Sequence, residues 1–198
     1  MKNIQKITGI ITLAIITVFL MASCGDPVAQ ADLGIYNIGD TGPGGGLIFY
    51  VDVDDEFPGW TYLEAAPVDL SPRYWSTVSI ESPGTLKELG KGSNNTIIIT
   101  LTHWTENSSN NAAWACNVFT GLNNTKDWFL PTVDELELMY QNLHLRGLGN
   151  FQTSEYWSSW VDDESANSSQ AYSFNFSNGY HRSDVKFVRN RIRPIRSF

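Results

Sequence analysis

Asp127-Trp128-Phe129-Leu130-Pro131-Thr132-Val133-Asp134-Glu135-Leu136-Glu137-Leu138-Met139-Tyr140-Gln141-Asn142-Leu143 is the stretch that decides the fold. Thr132 and Glu135 stand at capping-box spacing. In that motif each side chain accepts a hydrogen bond from the other residue's backbone N–H, one of the donors a helix start leaves free. Val133, Leu136, Tyr140 and Leu143 then recur at helical spacing on one face. Asp134 and Glu135 fall at the positive end of the helix dipole, and Gly147 and Gly149 end the unit. The pattern predicts an amphipathic helix. It makes Glu135 and Glu137 cap or surface residues, not a catalytic carboxylate pair.

Downstream of this helix the sequence reads as strands. Tyr156-Trp157-Ser158-Ser159-Trp160 is one candidate. Ala171 to Phe176 alternates and is followed by a Ser177-Asn178-Gly179 turn. Phe187 to Arg196 reads as the last strand, with Arg189, Arg191 and Arg193 on one face because side chains alternate with period two. Upstream, Ala112 to Phe119 reads as a helix that holds Cys116 in an apolar setting, as a buried structural thiol. Asn94, Asn95 and Thr96 suit the cap of a helix running towards Trp104, whereas the β-branched run Ile97-Ile98-Ile99 favours a strand. Pro67 to Pro83 is loop-like, with Trp75 as a packing anchor.

At the near end of the domain, Leu47-Ile48-Phe49-Tyr50-Val51 reads as a buried strand and Gly59-Trp60-Thr61-Tyr62-Leu63 as a second. The glycines around Pro43 mark tight turns. They do not make a phosphate loop, because the run lacks a Gly-Lys-Ser/Thr ending and precedes its strand. Asp52, Asp54, Asp55 and Glu56 lack the glycine and final glutamate of an EF-hand, so a solvated acidic turn is the reading and a calcium site the alternative. Strands at both ends with helices between them indicate a single α+β domain. Its sheet is expected to be mixed and mainly antiparallel, with two or three helices.

The first residues carry a different message. Lys2 and Lys6 precede an apolar run from Ile7 to Met21, then Ala22-Ser23-Cys24. A charged start, an apolar stretch and small residues before a cleavage point form the export pattern. The run is shorter than the ~18–20 residues a membrane-spanning helix needs. Residues 1–23 are therefore expected to be a signal peptide, Cys24 the lipid-modified first residue, 24–33 a tether and 34–198 the domain. An uncleaved anchor and an unlipidated secreted protein are the alternatives. Each buried methylene contributes ~0.8 kcal/mol, so two acyl chains hold where one binds reversibly. Removing Lys2 and Lys6 from the 13 basic residues leaves 11 against 21 acidic ones, a net charge near −10 that argues against nucleic acid as a partner. With Cys24 committed to lipid, Cys116 is left alone, without a disulfide partner or a cysteine-rich metal site.

Five stretches occur in order: Ile38 to Gly46 with Phe49-Tyr50, Gly59 to Pro67, Asp127 to Thr132, Tyr156-Trp157-Ser158-Ser159, and Arg193-Pro194-Ile195-Arg196-Ser197-Phe198. Together they resemble the domain family named after the C-terminal domain of the Legionella collagen-like adhesin, which is common in bacterial surface lipoproteins. The likeness runs from about residue 34 to the end. It implies a C-type lectin-like fold, the arrangement of the sulfatase-modifying, formylglycine-generating enzymes, in which first and last strands pair. The enzymatic members use cysteine chemistry, which a mature domain with Cys116 alone does not match. The adhesin likeness implies binding to sulfated polysaccharides.

No catalytic constellation emerges from the residues. His103, His144 and His181 are scattered, and there is no Gly-x-Ser-x-Gly turn. Ser158 and Ser159 are explained by packing or backbone hydrogen bonds. The expectation is an envelope-located, lipid-anchored binding or adhesion module for glycans or a host matrix, facing the periplasm or the outside, with no cofactor and no enzymatic activity. A protein-binding structural lipoprotein and a periplasmic enzyme or accessory factor are the alternatives. Arginine forks suit sulfate, and tryptophan stacks on sugar faces. The candidate ligand-binding residues are Trp157, Trp160, His181, Arg182, Arg189, Arg191 and Arg193. Internal ion pairing is the competing explanation for the arginines, and core packing for Trp157.

Overall fold

The computed structural model describes residues 35–77, 84–103, 111–161 and 169–198. The signal stretch, Cys24 and the tether lie outside the described residues. Eight strands and three α-helices follow in the order β1 (Leu47–Val51), β2 (Tyr62–Ala65), β3 (Leu70–Arg73), α1 (Gly92–Thr102), α2 (Ala112–Asn117), α3 (Val133–Asn142), β4 (Glu155–Trp157), β5 (Gln170–Asn175), β6 (Tyr180–Val185), β7 (Asn190–Ile192) and β8 (Ile195–Ser197), among the described residues. No helix among them is long and apolar enough to cross a membrane. The class is α+β, with two sheets.

One sheet has the order β1-β2-β8 and is antiparallel throughout. The other has the order β3-β7-β4-β5-β6 and is antiparallel except where β4 runs parallel to β7. Two expectations need correction here. Phe187 to Arg196 is not one strand: β7 belongs to the larger sheet and β8 to the smaller. Pro194 stands between them, and without an N–H it cannot continue a ladder. The first and last strands share a sheet but do not pair, because β2 lies between them, with Ala65 opposite both Leu47 and Ile195.

The glycine turn before β1 is closed by a carboxylate. The Gly44 and Gly46 N–H groups donate to Glu64 at 3.1 and 2.6 Å. Glu64 is fully buried, and its cross-strand partner Arg196 donates to it at 3.2 Å while gripping Asp127 through two nitrogens at 2.8 and 2.7 Å. A Cβ on Gly46 would fall on the Ala65 carbonyl oxygen, so only glycine fits. The next turn works similarly: the buried Asp52 carboxylate accepts from the N–H groups of Glu56 and Phe57, leaving Asp54, Asp55 and Glu56 in solvent.

Helix α3 begins with the capping box: Glu135 N–H donates to the Thr132 hydroxyl at 3.1 Å and Thr132 N–H to the Glu135 carboxylate at 2.7 Å. Glu135 is buried, not superficial, because the carboxylate also accepts from Gly90 N–H at 3.0 Å. Val133, Leu136, Met139 and Leu143 pack with Phe49, Leu63, Phe174 and Ile195 in one core. A second core gathers Trp75, Ile99, Cys116, Leu130, Trp157 and Ile192. The run Ile97-Ile98-Ile99 is helical, inside α1. Asn95 and Thr96 do not cap it. From inside the helix Asn95 bonds the Leu86 carbonyl and Ser159, and Thr96 accepts from Leu130 N–H. Helix α2 ends two residues before the expected Phe119, and Asn111 caps it by accepting from Trp114 N–H. Cys116 is buried, and burial pushes its thiol up, so it stays protonated.

Candidate functional site

The basic C-terminal segment is consumed mostly by the protein itself. Arg193, 1% exposed, is held by Asp69 at 2.7 Å and by the carbonyls of Ala66 and Gly149 at 2.9 Å each. Its guanidinium lies 4.1 Å over Phe151. Arg191 reaches the same Asp69 at 3.5 Å and keeps 34% of its side chain exposed. Tyr156 donates its hydroxyl to Asp69 at 2.7 Å; burial and then the neighbouring carboxylate push that hydroxyl's pKa up. Arg182, 60% exposed, lies 3.3 Å from Glu155 and 3.2 Å from Asp184. Arg189 lies before β7 and stacks over Tyr74 at 4.8 Å.

The expected single face of arginines is therefore replaced by a carboxylate, Asp69, shared between Arg191 and Arg193, and a separate contact of Arg189 with Tyr74. Arg191 lies in β7, but Arg189 precedes the strand and Arg193 follows it, so period two does not align all three. Trp157 is also corrected: it is fully buried in the second core, with its indole N–H donated to the Arg73 carbonyl at 2.9 Å. Trp157 and Arg193 are both buried, the first in the second core and the second against Asp69.

Trp160 and His181 are brought together, with Tyr172 between them. Trp160 stacks on Tyr172 at 3.9 Å with 22° between the planes. The His181 ring lies 5.8 Å from Tyr172 and 6.4 Å from Trp160. The strands explain the placement. Tyr172 and Phe174 share a face of β5, and His181 of β6 stands opposite Phe174 on that face. Backbone and serine bonds fix the tryptophan: Tyr172 N–H donates to the Trp160 carbonyl at 3.0 Å, Trp160 N–H to the Ser158 hydroxyl at 3.2 Å, and that hydroxyl to the Tyr172 carbonyl at 2.8 Å.

Charge surrounds these rings. The Lys87 ammonium lies 6.0 Å from the Trp160 ring centre, and the Lys87 carbonyl accepts from Asp134 N–H. The Asp134 carboxyl is pushed up by partial burial and by Glu88 and Glu137, against the opposing pull of Lys87 and His181. Trp160 and Tyr172 are half-buried at the edge of the first core, and His181 and Lys87 are exposed. Sequence reasoning named Trp160 and His181 but missed Tyr172, Lys87 and Asp134. For Tyr172 a signal was present, since it shares the apolar side of the β5 alternation with Phe174 and Phe176. Lys87, Asp134 and Asp69 carry no local mark of their neighbours. No protein-family model matches the chain, and no curated protein matches it.

Proposed function

We propose that this chain is a membrane-anchored bacterial lipoprotein whose exported domain is a non-enzymatic, C-type lectin-like module that binds glycans. The observation that carries the glycan reading is the half-exposed Trp160–Tyr172 stack with His181 and Lys87 around it. Aromatic rings offer apolar faces for sugar C–H groups, and the surrounding polar side chains orient hydroxyls. Rings already stacked lose little conformational freedom when a ligand arrives. The lectin-like reading is supported by the return of β8 to the sheet that holds β1. Against catalysis, the Ser158 hydroxyl is engaged with the Tyr172 carbonyl, Ser159 accepts from Asn95, and Cys116 is buried as a thiol. Sulfated polysaccharide is the ligand implied by the adhesin resemblance, and of the four candidate arginines Arg182, Arg189 and Arg191 keep surface to offer it.

A glycan array probed with the domain tests the reading. Trp160→Ala and His181→Ala are expected to abolish the signal, and His181→Ala, at an exposed position, is expected to leave the melting temperature near wild type. An empty array, or a signal indifferent to both substitutions, overturns it. The anchor is tested separately. Cys24→Ala is expected to move the protein out of the membrane fraction and to block incorporation of labelled palmitate, and unchanged labelling refutes it.

A further inference from the structure

Strand β6 ends the larger sheet, and its outer side has no neighbouring strand among the described residues. The phase of its backbone fixes which groups face outward. In an antiparallel pair, residues that exchange both backbone bonds with the partner alternate with residues that turn both groups away. Tyr172 of β5 gives its N–H to the Trp160 carbonyl and its carbonyl to Ser158 N–H, on the β4 side. Ser183 stands opposite Tyr172, so Ser183 turns its own groups outward. Lys186 N–H donates to the Ser169 carbonyl one step beyond the paired strands, which gives the same phase. The outward residues are therefore His181, Ser183 and Val185, while Arg182 and Asp184 bond to β5. The Val185 carbonyl accepts from Val188 N–H in the next turn, and no other described backbone group bonds this outer side.

An open edge is a template for another strand, and folded proteins commonly blunt it. Strand β3, the opposite edge of the same sheet, is blunted by Pro72 and an irregular register. Strand β6 has neither device: it holds no proline, and its register with β5 is unbroken over six residues. Tyr180 and Val185 within it, and Phe187 and Val188 just after it, leave apolar side chains exposed.

The charges of β6 complement one particular strand, β6 itself. Directly opposed residues of an antiparallel pair share a face, so two copies related by a two-fold axis pair about a residue that faces itself. Pairing about Arg182 or about Asp184 sets like charges against each other. Pairing about Ser183 sets Arg182 of each copy opposite Asp184 of the other, at the position where opposed side chains come closest. Within one copy Arg182 lies 3.2 Å from Asp184 and keeps 60% of its side chain exposed, so a second copy extends the pair into an alternating set of charges. The backbone agrees with this register: Ser183 exchanges both bonds with its counterpart, and Val185 N–H reaches the His181 carbonyl at each end.

We propose that two copies of this chain pair edge to edge through β6, antiparallel about Ser183, and join their larger sheets into one. The axis stands perpendicular to the sheet, so the Trp160–Tyr172 stacks of both copies come to the same side. The pairing itself does not depend on the glycan reading.

Sedimentation of the full chain in detergent solution over a concentration series, with amide exchange read by NMR, tests the proposal. A monomer–dimer equilibrium is expected. The Ser183 and Val185 amides are expected to exchange fast in dilute samples and to slow at least severalfold as the dimer forms, while those of Arg182 and Asp184 stay slow throughout. Arg182→Asp, which opposes two carboxylates, is expected to abolish the dimer, and adding Asp184→Arg to restore it. Should a charge variant fail to fold, since Asp184 also accepts from Ser173 and Asn190, Ser183→Pro decides. The Ser183 N–H makes no bond within the chain, so this substitution is expected to keep the fold and abolish the dimer. A chain that stays monomeric, or a dimer that leaves the Ser183 amide unprotected, overturns the proposal. So does a dimer that survives Arg182→Asp or Ser183→Pro, or a folded charge-swapped variant that stays monomeric. Protection of the same amides in a monomeric chain by a blocked Thr-Val-Thr-Val-Thr peptide would make β6 an edge for other proteins and overturn the second copy as its occupant.

Discussion

Arg193 and Arg189 are four residues apart and chemically identical, yet the structure uses them in opposite ways. Arg193 is interior and its partner Asp69 is 124 positions away, so nothing local in the sequence distinguishes it. Only the long-range meeting of the segment before β3 with the junction after β7 does so. Removing one partner of a buried ion pair strands the other charge and costs about 3–5 kcal/mol. Arg193→Gln is expected to lower the unfolding free energy from chemical denaturation by that much. Arg189→Gln, at the surface over Tyr74, should stay within about 0.5 kcal/mol of wild type. Equal midpoints for the two variants would show that Arg193 is not the buried partner of Asp69. The same contrast separates Trp157 from Trp160: both stand among serines in one short stretch, and only the three-dimensional cover over β4 makes the first interior.

Helix α3 was legible because its instructions are local: cap, dipole and apolar face all lie within a dozen residues. Thr132→Ala removes the hydroxyl that accepts from Glu135 N–H and should cost ~1 kcal/mol. Leu136→Ala, at a fully buried position, should cost ~2–5 kcal/mol. Chemical denaturation that finds neither loss would contradict the placement of this helix. The buried cap adds a pH dependence that the pattern did not announce. Burial raises the Glu135 carboxyl to about 7, outweighing the N–H donors of Thr132, Gly90 and Gly92 that favour its ionised form. A pKa raised on folding contributes stability fully below the unfolded value, near 4.5, and loses it as pH rises through about 7. Across that window the wild type should lose stability relative to Glu135→Gln, as melting temperatures over a pH series would show; parallel curves would refute the shift. Helix α1 was the ambiguous element. Its β-branched run favours a strand locally, and tertiary bonds from Asn95 and Thr96 to Leu86, Ser159 and Leu130 accompany the helical outcome.

At the scale of the molecule, the chain passes from one sheet to the other within Arg193 and Pro194. The proline that separates β7 from β8 was visible in the sequence, but its consequence, a change of sheet, was not, because pairing partners are not encoded next to it. Class was easier to read than connectivity for the same reason; β3 lies inside the stretch from Pro67 to Pro83 that reads as loop, and β6 carried no strand signal that sequence reasoning used. The two cores meet along β4, where Tyr156 belongs to the first and Trp157 to the second. Adjacent residues cannot leave their cores independently, so the two should melt together. Tryptophan fluorescence and far-UV circular dichroism are expected to report one urea transition with one midpoint. Separate midpoints would mean that the cores are independent units.

Gly44 and Gly46 present two N–H groups to a carboxylate that belongs to the protein itself, with Arg196 closing the other side. Such a concavity of donors resembles what other proteins offer to soluble anions. Here Glu64 is in effect a covalently tethered ligand. Glu64→Ala would cut the tether and vacate the cradle, leaving oriented donors that a free carboxylate can reoccupy. Formate should then act as a chemical prosthesis. By mass action, an anion that binds only the folded state raises its stability with concentration. The variant should melt below wild type and recover progressively as sodium formate is added, whereas wild type should respond no more to formate than to sodium chloride of equal ionic strength. An identical response of the two proteins would show that the cradle collapses once its resident carboxylate is gone.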